Sequence, residues 1–404
     1  MKLLKNAKII DFENNKFKDV NILIDDKKII KIYEKLENFN KINEIDVIDC
    51  NNNIILYGFI NSQSYLIKNF YYKNFKETNL EDFEDNYLKF LRKLTPEEKY
   101  YIYKYQILNA IKNGVTTICD NDLYNLSLKK AVVETGINAV YKIGFNGSQD
   151  IVEENLIEKL ERQNENYIFS LNNVLFNNEN NFNNLIKLSR KYNKPLFING
   201  SENLNRAGEI FSEFNLNNIS MLEKFGFLDS DNIINNSNVL DKDEYEILNE
   251  YNSKLIFSPS LNLNLGYKNA NIYALNRQNL IGLSSFNNDY FLELFLARNL
   301  EKDGYNSMQV FSDKTLINFS SLNNAKVLNL KDVGEIKVGH YANLILINNN
   351  NILSVNSLIK NLDNRDIKSV LINGELVFNN SHFVENKDYN KLENLCNLIV
   401  KKYL

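Results

Sequence analysis

Residues 95–119 read TPEEKYYIYKYQILNAIKNGVTTIC, and this stretch decides the fold. Thr95 stands as an N-cap, Pro96 takes the first helical position and Glu98 sits at the third, so the start of a helix is written in three residues. The amphipathic run that follows predicts a helix to Asn113, and Gly114 ends it because glycine adopts the left-handed backbone there at little cost. Gly114-Val115-Thr116-Thr117-Ile118-Cys119 then reads as a buried strand.

The same unit recurs down the chain. Strands are expected at Ala139–Ile143, Tyr167–Leu171, Pro195–Ile198, Asn232–Ile234, Lys254–Phe257 and Leu280–Leu283, interleaved with helical stretches such as 182–192, 241–250 and 290–301. Alternation of this kind indicates a parallel sheet, and the count fits a (β/α)8 barrel better than an open doubly wound sheet. No Gly-rich phosphate loop follows any of these strands. The two ends of the chain differ from the middle. Short alternating runs (Ala7–Phe12, Val20–Ile24, Lys28–Ile32, Ile45–Asp49) return as Ala342–Ile347 and Lys368–Phe378, the latter folded at Asn373-Gly374, a two-residue hairpin turn. The class is therefore α/β: a barrel over residues 57–330, and a small β-sandwich composed of residues 1–56 and 331–404.

Composition narrows the function. The 404 residues carry 47 Lys+Arg against 51 Asp+Glu, a net charge of -4 with no basic run, which argues against nucleic acid as a partner. Gly and Pro are scarce while Asn, Ile, Lys, Phe and Tyr abound, as an A+T-rich coding sequence produces. The opening MKLLKNAKIIDF is broken by Lys2, Lys5 and Lys8, so neither a signal peptide nor a membrane span is expected there. Three widely spaced cysteines, Cys50, Cys119 and Cys396, suit a reduced, cytoplasmic protein. Only His340 and His382 are present, both near the end, so a cluster of imidazoles cannot form within one chain.

The order of motifs resembles the amidohydrolase superfamily, in its chlorohydrolase, guanine deaminase and nucleoside deaminase branch. Tyr57-Gly58-Phe59-Ile60-Asn61 is similar to the segment that leads into that family's first barrel strand, and Gly114-Val115-Thr116-Thr117 matches its second. Asn324-Ala325-Lys326-Val327-Leu328 through Val333-Gly334-Glu335 and Val338-Gly339-His340-Tyr341-Ala342 to Leu344 matches its return into the sandwich. The resemblance implies a metal-dependent barrel flanked by a sandwich from both chain ends, and commonly a homodimer.

By the same resemblance the five metal-binding positions fall on Gln63, Tyr65, Asn199, Asn236 and Phe286, none of them a His or an Asp, while the catalytic Glu is kept as Glu202. Acidifying water from a pKa of about 15.7 to about 7 is worth at most roughly 12 kcal/mol of available hydroxide. A lone general base supplies about 3 to 5 kcal/mol. Amides are neutral and hold zinc or iron poorly beside imidazole. The resulting expectation is a protein with no metal cofactor: a catalytically inactive relative, with Glu202 a relic acid/base and Gln63, Tyr65, Asn199, Asn236 and Phe286 lining a pocket for a small-molecule ligand in the barrel mouth. The alternative is an active hydrolase of carbon–nitrogen bonds in a cyclic amide, amidine or nucleobase-like substrate, working through a non-standard site. In that reading Asp120, Asp122 and Asp289 join Glu202 as oxygen donors; against it, each is a loop carboxylate that caps a helix or faces solvent. Cys119 reads as a buried strand residue, and Tyr65 to Phe90 as an aromatic stretch packed over the barrel mouth.

Overall fold

A computed structural model describes residues 1–34, 45–74, 79–145, 152–171, 179–229, 231–348, 352, 354–355, 358–386 and 388–403. Seventeen strands follow one another along these residues: β1 (Lys2–Asp11), β2 (Lys16–Asp25), β3 (Lys28–Tyr33), β4 (Asp46–Asp49), β5 (Ile54–Tyr57), β6 (Phe59–Ser64), β7 (Val115–Leu123), β8 (Asn138–Phe145), β9 (Asn166–Leu171), β10 (Leu196–Asn199), β11 (Ile233–Asn235), β12 (Lys254–Phe257), β13 (Leu280–Leu283), β14 (Leu344–Ile347), β15 (Ile367–Ile372), β16 (Glu375–Asn379) and β17 (His382–Phe383). β6 to β13 form one parallel sheet in chain order, the nearly closed eight-stranded barrel expected from the alternation. The remaining strands form a second sheet in the order β17-β16-β15-β14-β5-β1-β2-β3, with β4 beside β1, and so draw on both chain ends.

The helix that opened the reading spans Pro96–Lys112. Thr95 Oγ1 accepts from the Glu98 amide at 3.2 Å, and Glu98 Oε2 accepts from the Thr95 amide at 2.9 Å, so both halves of the capping box are made. Gly114 turns out of the helix at φ +82° and delivers the chain into β7. At the other end, Asn373 and Gly374 take φ values of 50° and 78° between β15 and β16, as a tight hairpin requires.

Two differences from the sequence reading have local causes. β1 starts at Lys2 rather than Ala7, because a bulge between Leu4 and Ala7, with Asn6 at φ 55°, shifts the period of two. β7 runs on to Leu123, so Asp120 and Asp122 are strand residues and not loop residues. Asp120 is buried and Asp122 half-buried within this strand, so neither is the loop carboxylate that the sequence reading expects.

The barrel floor is apolar. Ile60, Cys119, Val140, Ile168, Phe197, Ile233 and Ile256, one from each of β6 to β12, join a single cluster with Leu4, Ile22, Tyr57 and Leu344 of the second sheet. The seam between β13 and β6 is closed by side chains. Tyr290 Oη donates to the carbonyls of Ile60 at 2.8 Å and Leu283 at 3.0 Å, and Asn324 Nδ2 donates to the same two carbonyls at 2.6 Å each. Asn61 exchanges a further pair with Ser285, at 2.9 and 3.2 Å. Position 282 must be glycine for this to fit, since a Cβ there would lie 2.2 Å from Asn324 Oδ1. Among the described residues no helix is long and apolar enough to cross a membrane.

Each seam carbonyl takes one hydrogen of the Asn324 amide and a share of the single Tyr290 hydroxyl hydrogen, so removing one donor leaves the other in place. Asn324→Leu or Tyr290→Phe alone should cost about 1 kcal/mol in urea unfolding, and the double variant should exceed the sum by a further ~1–3 kcal/mol, because only then are buried carbonyls stranded. A strictly additive double variant would show that the two donors do not share this task.

Candidate active site

Parallel barrels expose their variable chemistry at the C-terminal ends of the strands, and the polar residues of this chain gather there. Gln63 is the last residue but one of β6 and Tyr65 follows the strand; Asp120, Asn121 and Asp122 come from β7, Lys142 from β8, Asn199 from the end of β10, Asn235 from the end of β11, and Asn236 follows it. Phe286 lies three residues beyond β13. Asn236 sits at φ 51°, a left-handed conformation that asparagine tolerates, and this turns its amide inward.

Two hydrogen-bonded groups result. In the first, the Tyr65 hydroxyl accepts from Asn236 Nδ2 at 3.1 Å and from Asn235 Nδ2 at 3.4 Å, while Asn235 Nδ2 also donates to Asn199 Oδ1 at 3.0 Å. The Tyr65 ring meets Phe286 edge-on with centroids 5.8 Å apart, and Phe286 in turn meets Tyr72 at 5.4 Å. Burial pushes the Tyr65 phenol far above its usual range, so it stays a neutral hydroxyl.

In the second, the Lys142 ammonium donates to Gln63 Oε1 and Gln63 Nε2 donates to Asn121 Oδ1 at 2.8 Å. Lys142 is buried, with Nζ 3.5 Å from the centroid of the Phe197 ring. Burial brings its pKa down to about 8, against the opposing pull of Cys119, Asp120 and Asp122. Asp120 moves the other way, to about 8, because it is buried and faces Asp122, although the amides of Leu66 and Asp122 each donate to it at 3.1 Å. Burial also raises Asp122, which accepts a hydrogen bond from Tyr103.

Tyr65, Asn199, Asn236 and Phe286 thus come together, with Gln63 one step away in the Lys142 group. Glu202 lies three residues beyond β10, half-buried, its proton held more tightly than usual by burial; Lys68 and Arg206 lower it while Glu84 and Glu209 raise it. Arg206 makes an ion pair with Glu209 at 3.1 Å. Over the same rim, Lys68 pairs with Glu84 at 2.6 Å.

Asp289 does not join them: it caps the helix Tyr290–Tyr305 by accepting from the Leu292 amide at 3.1 Å. Among the described residues no group of three or more His, Cys, Asp or Glu could hold a metal. Cys119 is buried and its thiol is pushed up to about 11 by that burial, as suits a floor residue. His340 lies 3.7 Å from Glu335, and His382 is bonded to the Asn380 carbonyl at 2.8 Å.

Sequence reasoning missed Lys142, Asn121 and Asn235. A signal for the first was present: Ala139-Val140-Tyr141-Lys142-Ile143 is an apolar strand with one charge in it, and a charge so placed needs a buried partner.

With this geometry in view, the chain can be set beside known proteins. The model of the amidohydrolase family matches residues 54–377. The chain belongs to the amidohydrolase family. A 5'-deoxyadenosine deaminase from Methanococcus aeolicus is 29% identical over 98% of this chain and 99% of its own length. A 5-methylthioadenosine/S-adenosylhomocysteine deaminase from Carboxydothermus hydrogenoformans is 27% identical over 93% and 92%. Among solved structures, an adenosine deaminase from Xanthomonas campestris with bound zinc superposes with a TM-score of 0.89 at 15% identity, covering 100% of this chain and 98% of that one. Atrazine chlorohydrolase from Arthrobacter aurescens, complexed with zinc, gives 0.84 at 16%, covering 99% and 100%.

Two expectations are corrected by these findings. The reading of a catalytically inactive protein fails, because relatives that match along nearly the whole chain are deaminases. The expectation that zinc or iron is foreign to the protein fails as well, because the family matched over residues 54–377 has structural neighbours, an adenosine deaminase and atrazine chlorohydrolase, that were solved with zinc. The five assigned positions do not fit zinc: Phe286 has no donor, Tyr65 is a neutral phenol, Asn199 Oδ1 accepts from Asn235, the Lys142 ammonium occupies the oxygen of Gln63, and the one amide oxygen left without a partner, on Asn236, is a single neutral donor.

Asp120 gives a pH test. Its proton is held to about pH 8 in the fold but released near 3.8 when the chain unfolds, so between those values the native state binds more protons than the unfolded state. Its contribution to stability therefore falls as pH rises across that window. The urea midpoint of Asp120→Asn relative to the parent protein should increase steadily from about pH 5 to about pH 8. A constant difference would show that Asp120 titrates normally.

Proposed function

We propose that the protein is an active hydrolase of carbon–nitrogen bonds outside peptides, an aminohydrolase that releases ammonia from a cyclic amidine of nucleobase type. The deaminase names of its relatives support the class of reaction. The observation that carries the reading is Glu202, a half-buried carboxyl at the open end of the barrel whose affinity for protons is raised by burial. Deamination joins a water oxygen to the ring carbon and breaks the bond from that carbon to nitrogen. A proton must leave the water and reach the departing nitrogen, and a carboxyl tuned toward neutrality can carry it. Asn199, Asn235 and Asn236 supply amides able to address a heterocycle edge, Tyr65 and Phe286 an aromatic wall, and Gln63 the link to the Lys142 charge. A reducing, cytoplasmic setting belongs to the same reading, supported by three buried free thiols.

Ammonia release from 5'-deoxyadenosine, 5-methylthioadenosine, S-adenosylhomocysteine, adenosine and guanine tests the proposal, with protein as isolated and after incubation with zinc. At least one substrate should be turned over, and Glu202→Gln should lower kcat about 10²- to 10⁴-fold while KM changes only a few-fold. No ammonia from any of the five, in either state, would reject it.

A further inference from the structure

A phenol carries one hydrogen and two lone pairs, so once the lone pairs are filled only the hydrogen is left to offer. At Tyr65 amides do the filling. Asn236 Nδ2 donates to the hydroxyl oxygen at 3.1 Å and Asn235 Nδ2 at 3.4 Å, and the Gln63 side chain bonds it as well. Charge fixes the direction of the last. The Lys142 ammonium has donors alone, so Gln63 turns its oxygen to Lys142 and keeps Nε2 as its donor, which also reaches Asn121 at 2.8 Å. The Tyr65 hydrogen itself meets no acceptor among the described residues. Beside it, Asn235 Oδ1 and Asn236 Oδ1 are buried and without a donor among the same residues.

This set borders both open space and a carboxyl. A cavity of about 850 Å³ opens between the helices Leu80–Lys93 and Pro96–Lys112 and the end of β7, a size in the range of small-molecule sites. Asn121 and Asn199 line it, and Asn199 Oδ1 accepts from Asn235, the amide that also donates to Tyr65. The charge of Glu202 acts on the Tyr65 phenol, so hydroxyl and carboxyl serve the same small region of the mouth.

We propose that Tyr65 is a further catalytic residue whose O–H donates to the ring nitrogen next to the carbon that water attacks, with Gln63, Asn235 and Asn236 as positioning residues that keep this hydrogen turned to the substrate. The inference rests on the aminohydrolase reading and names a second group for its reaction. An amidine edge presents an acceptor nitrogen beside an amino donor, and the site offers the complement: one hydroxyl hydrogen beside two amide oxygens. As the water oxygen bonds to the ring carbon, the electron pair of the C=N double bond moves onto the ring nitrogen. The neutral Tyr65 hydroxyl stabilises that pair by hydrogen bonding and keeps its own proton. One water proton passes by way of Glu202 to the amino nitrogen, which leaves as ammonia with the pair of its C–N bond. The oxygen closes to a carbonyl, and the other water proton ends on the ring nitrogen. The product edge then presents N–H where the substrate presented a lone pair, so Tyr65 holds it less firmly than it held the substrate.

The test is ammonia release from the same five substrates by the parent protein, by Tyr65→Phe, and by protein carrying 3-fluorotyrosine or 3,5-difluorotyrosine at position 65. The fluorinated rings keep the shape of tyrosine and make the O–H a stronger donor, and burial holds them neutral as it holds Tyr65. Tyr65→Phe should lower kcat about 10²-fold with KM changed only a few-fold, and kcat should rise about twofold or more along the fluorinated series. Where Tyr65→Phe does not fold, the fluorinated series decides, since a ring that serves packing alone is indifferent to the strength of its O–H. An unchanged kcat in a folded Tyr65→Phe, or no trend along the series, overturns the role of Tyr65 while ammonia release by the parent leaves the aminohydrolase reading standing. No ammonia from any of the five substrates, with or without zinc, overturns both.

Discussion

The closure of the barrel at β6 and β13 is the constraint on which the site depends. Eight parallel strands bring their first and last members side by side, and here Tyr290 and Asn324 bind the same two carbonyls, of Ile60 and Leu283, across that seam. Residues more than two hundred positions apart are thereby fixed at contact distance. Tyr65 and Phe286 face each other, and the aromatic wall of the mouth exists, because the seam holds. If it opened, the asparagines on β10 and β11 would keep their strands but lose Tyr65, the acceptor that orders them.

Above the apolar floor the electrostatics are set by one buried ammonium and two buried carboxyls. Lys142, Asp120 and Asp122 are all displaced toward their neutral forms by loss of water; the lysine and the two carboxyls moderate one another through their charges, while Asp122 pushes Asp120 further the same way as burial. Gln63 links this set to Asn121 and the cavity. Groups that change protonation state near neutral pH at the strand ends of a barrel are the arrangement from which acid/base chemistry is made.

Much of this was legible in the sequence. The Thr95 box, the Gly114 stop, seven of the eight barrel strands and the Asn373-Gly374 turn follow from local rules that the tertiary structure leaves in force. The bulge at Asn6 was not, since its effect is to break the alternation by which strands are recognised. Lys142 was passed over because periodicity counts a strand by its apolar members and is silent about the exception, which proved to be the informative residue. The gravest misreading was chemical. Equating the loss of four imidazoles and one carboxylate with the loss of reaction weighs what the site lacks and gives no weight to what stands in its place.

What stands there is costly, and the cost bears on function. A barrel mouth released from any task can be filled by leucine and phenylalanine, which gain from burial about 25 cal/mol for each Å² withdrawn from water. Instead the space holds an ammonium, two carboxyls, Gln63 and three asparagines, with Asn235 Oδ1 and Asn236 Oδ1 buried and unpartnered among the described residues. Each unsatisfied buried group costs about 1 to 3 kcal/mol, and replacing buried charge networks by apolar residues is often neutral or stabilising. Drift toward stability therefore runs from such a set to an apolar one. The set has gone that way only at Phe286, whose ring seals one side of the mouth, while the opposite side keeps its amides, its carboxyl Glu202 and the cavity beyond Asn199. Acceptors left without donors in an otherwise well-packed barrel are places where a polar ligand completes the hydrogen bonding, and a purine edge offers donors of that kind.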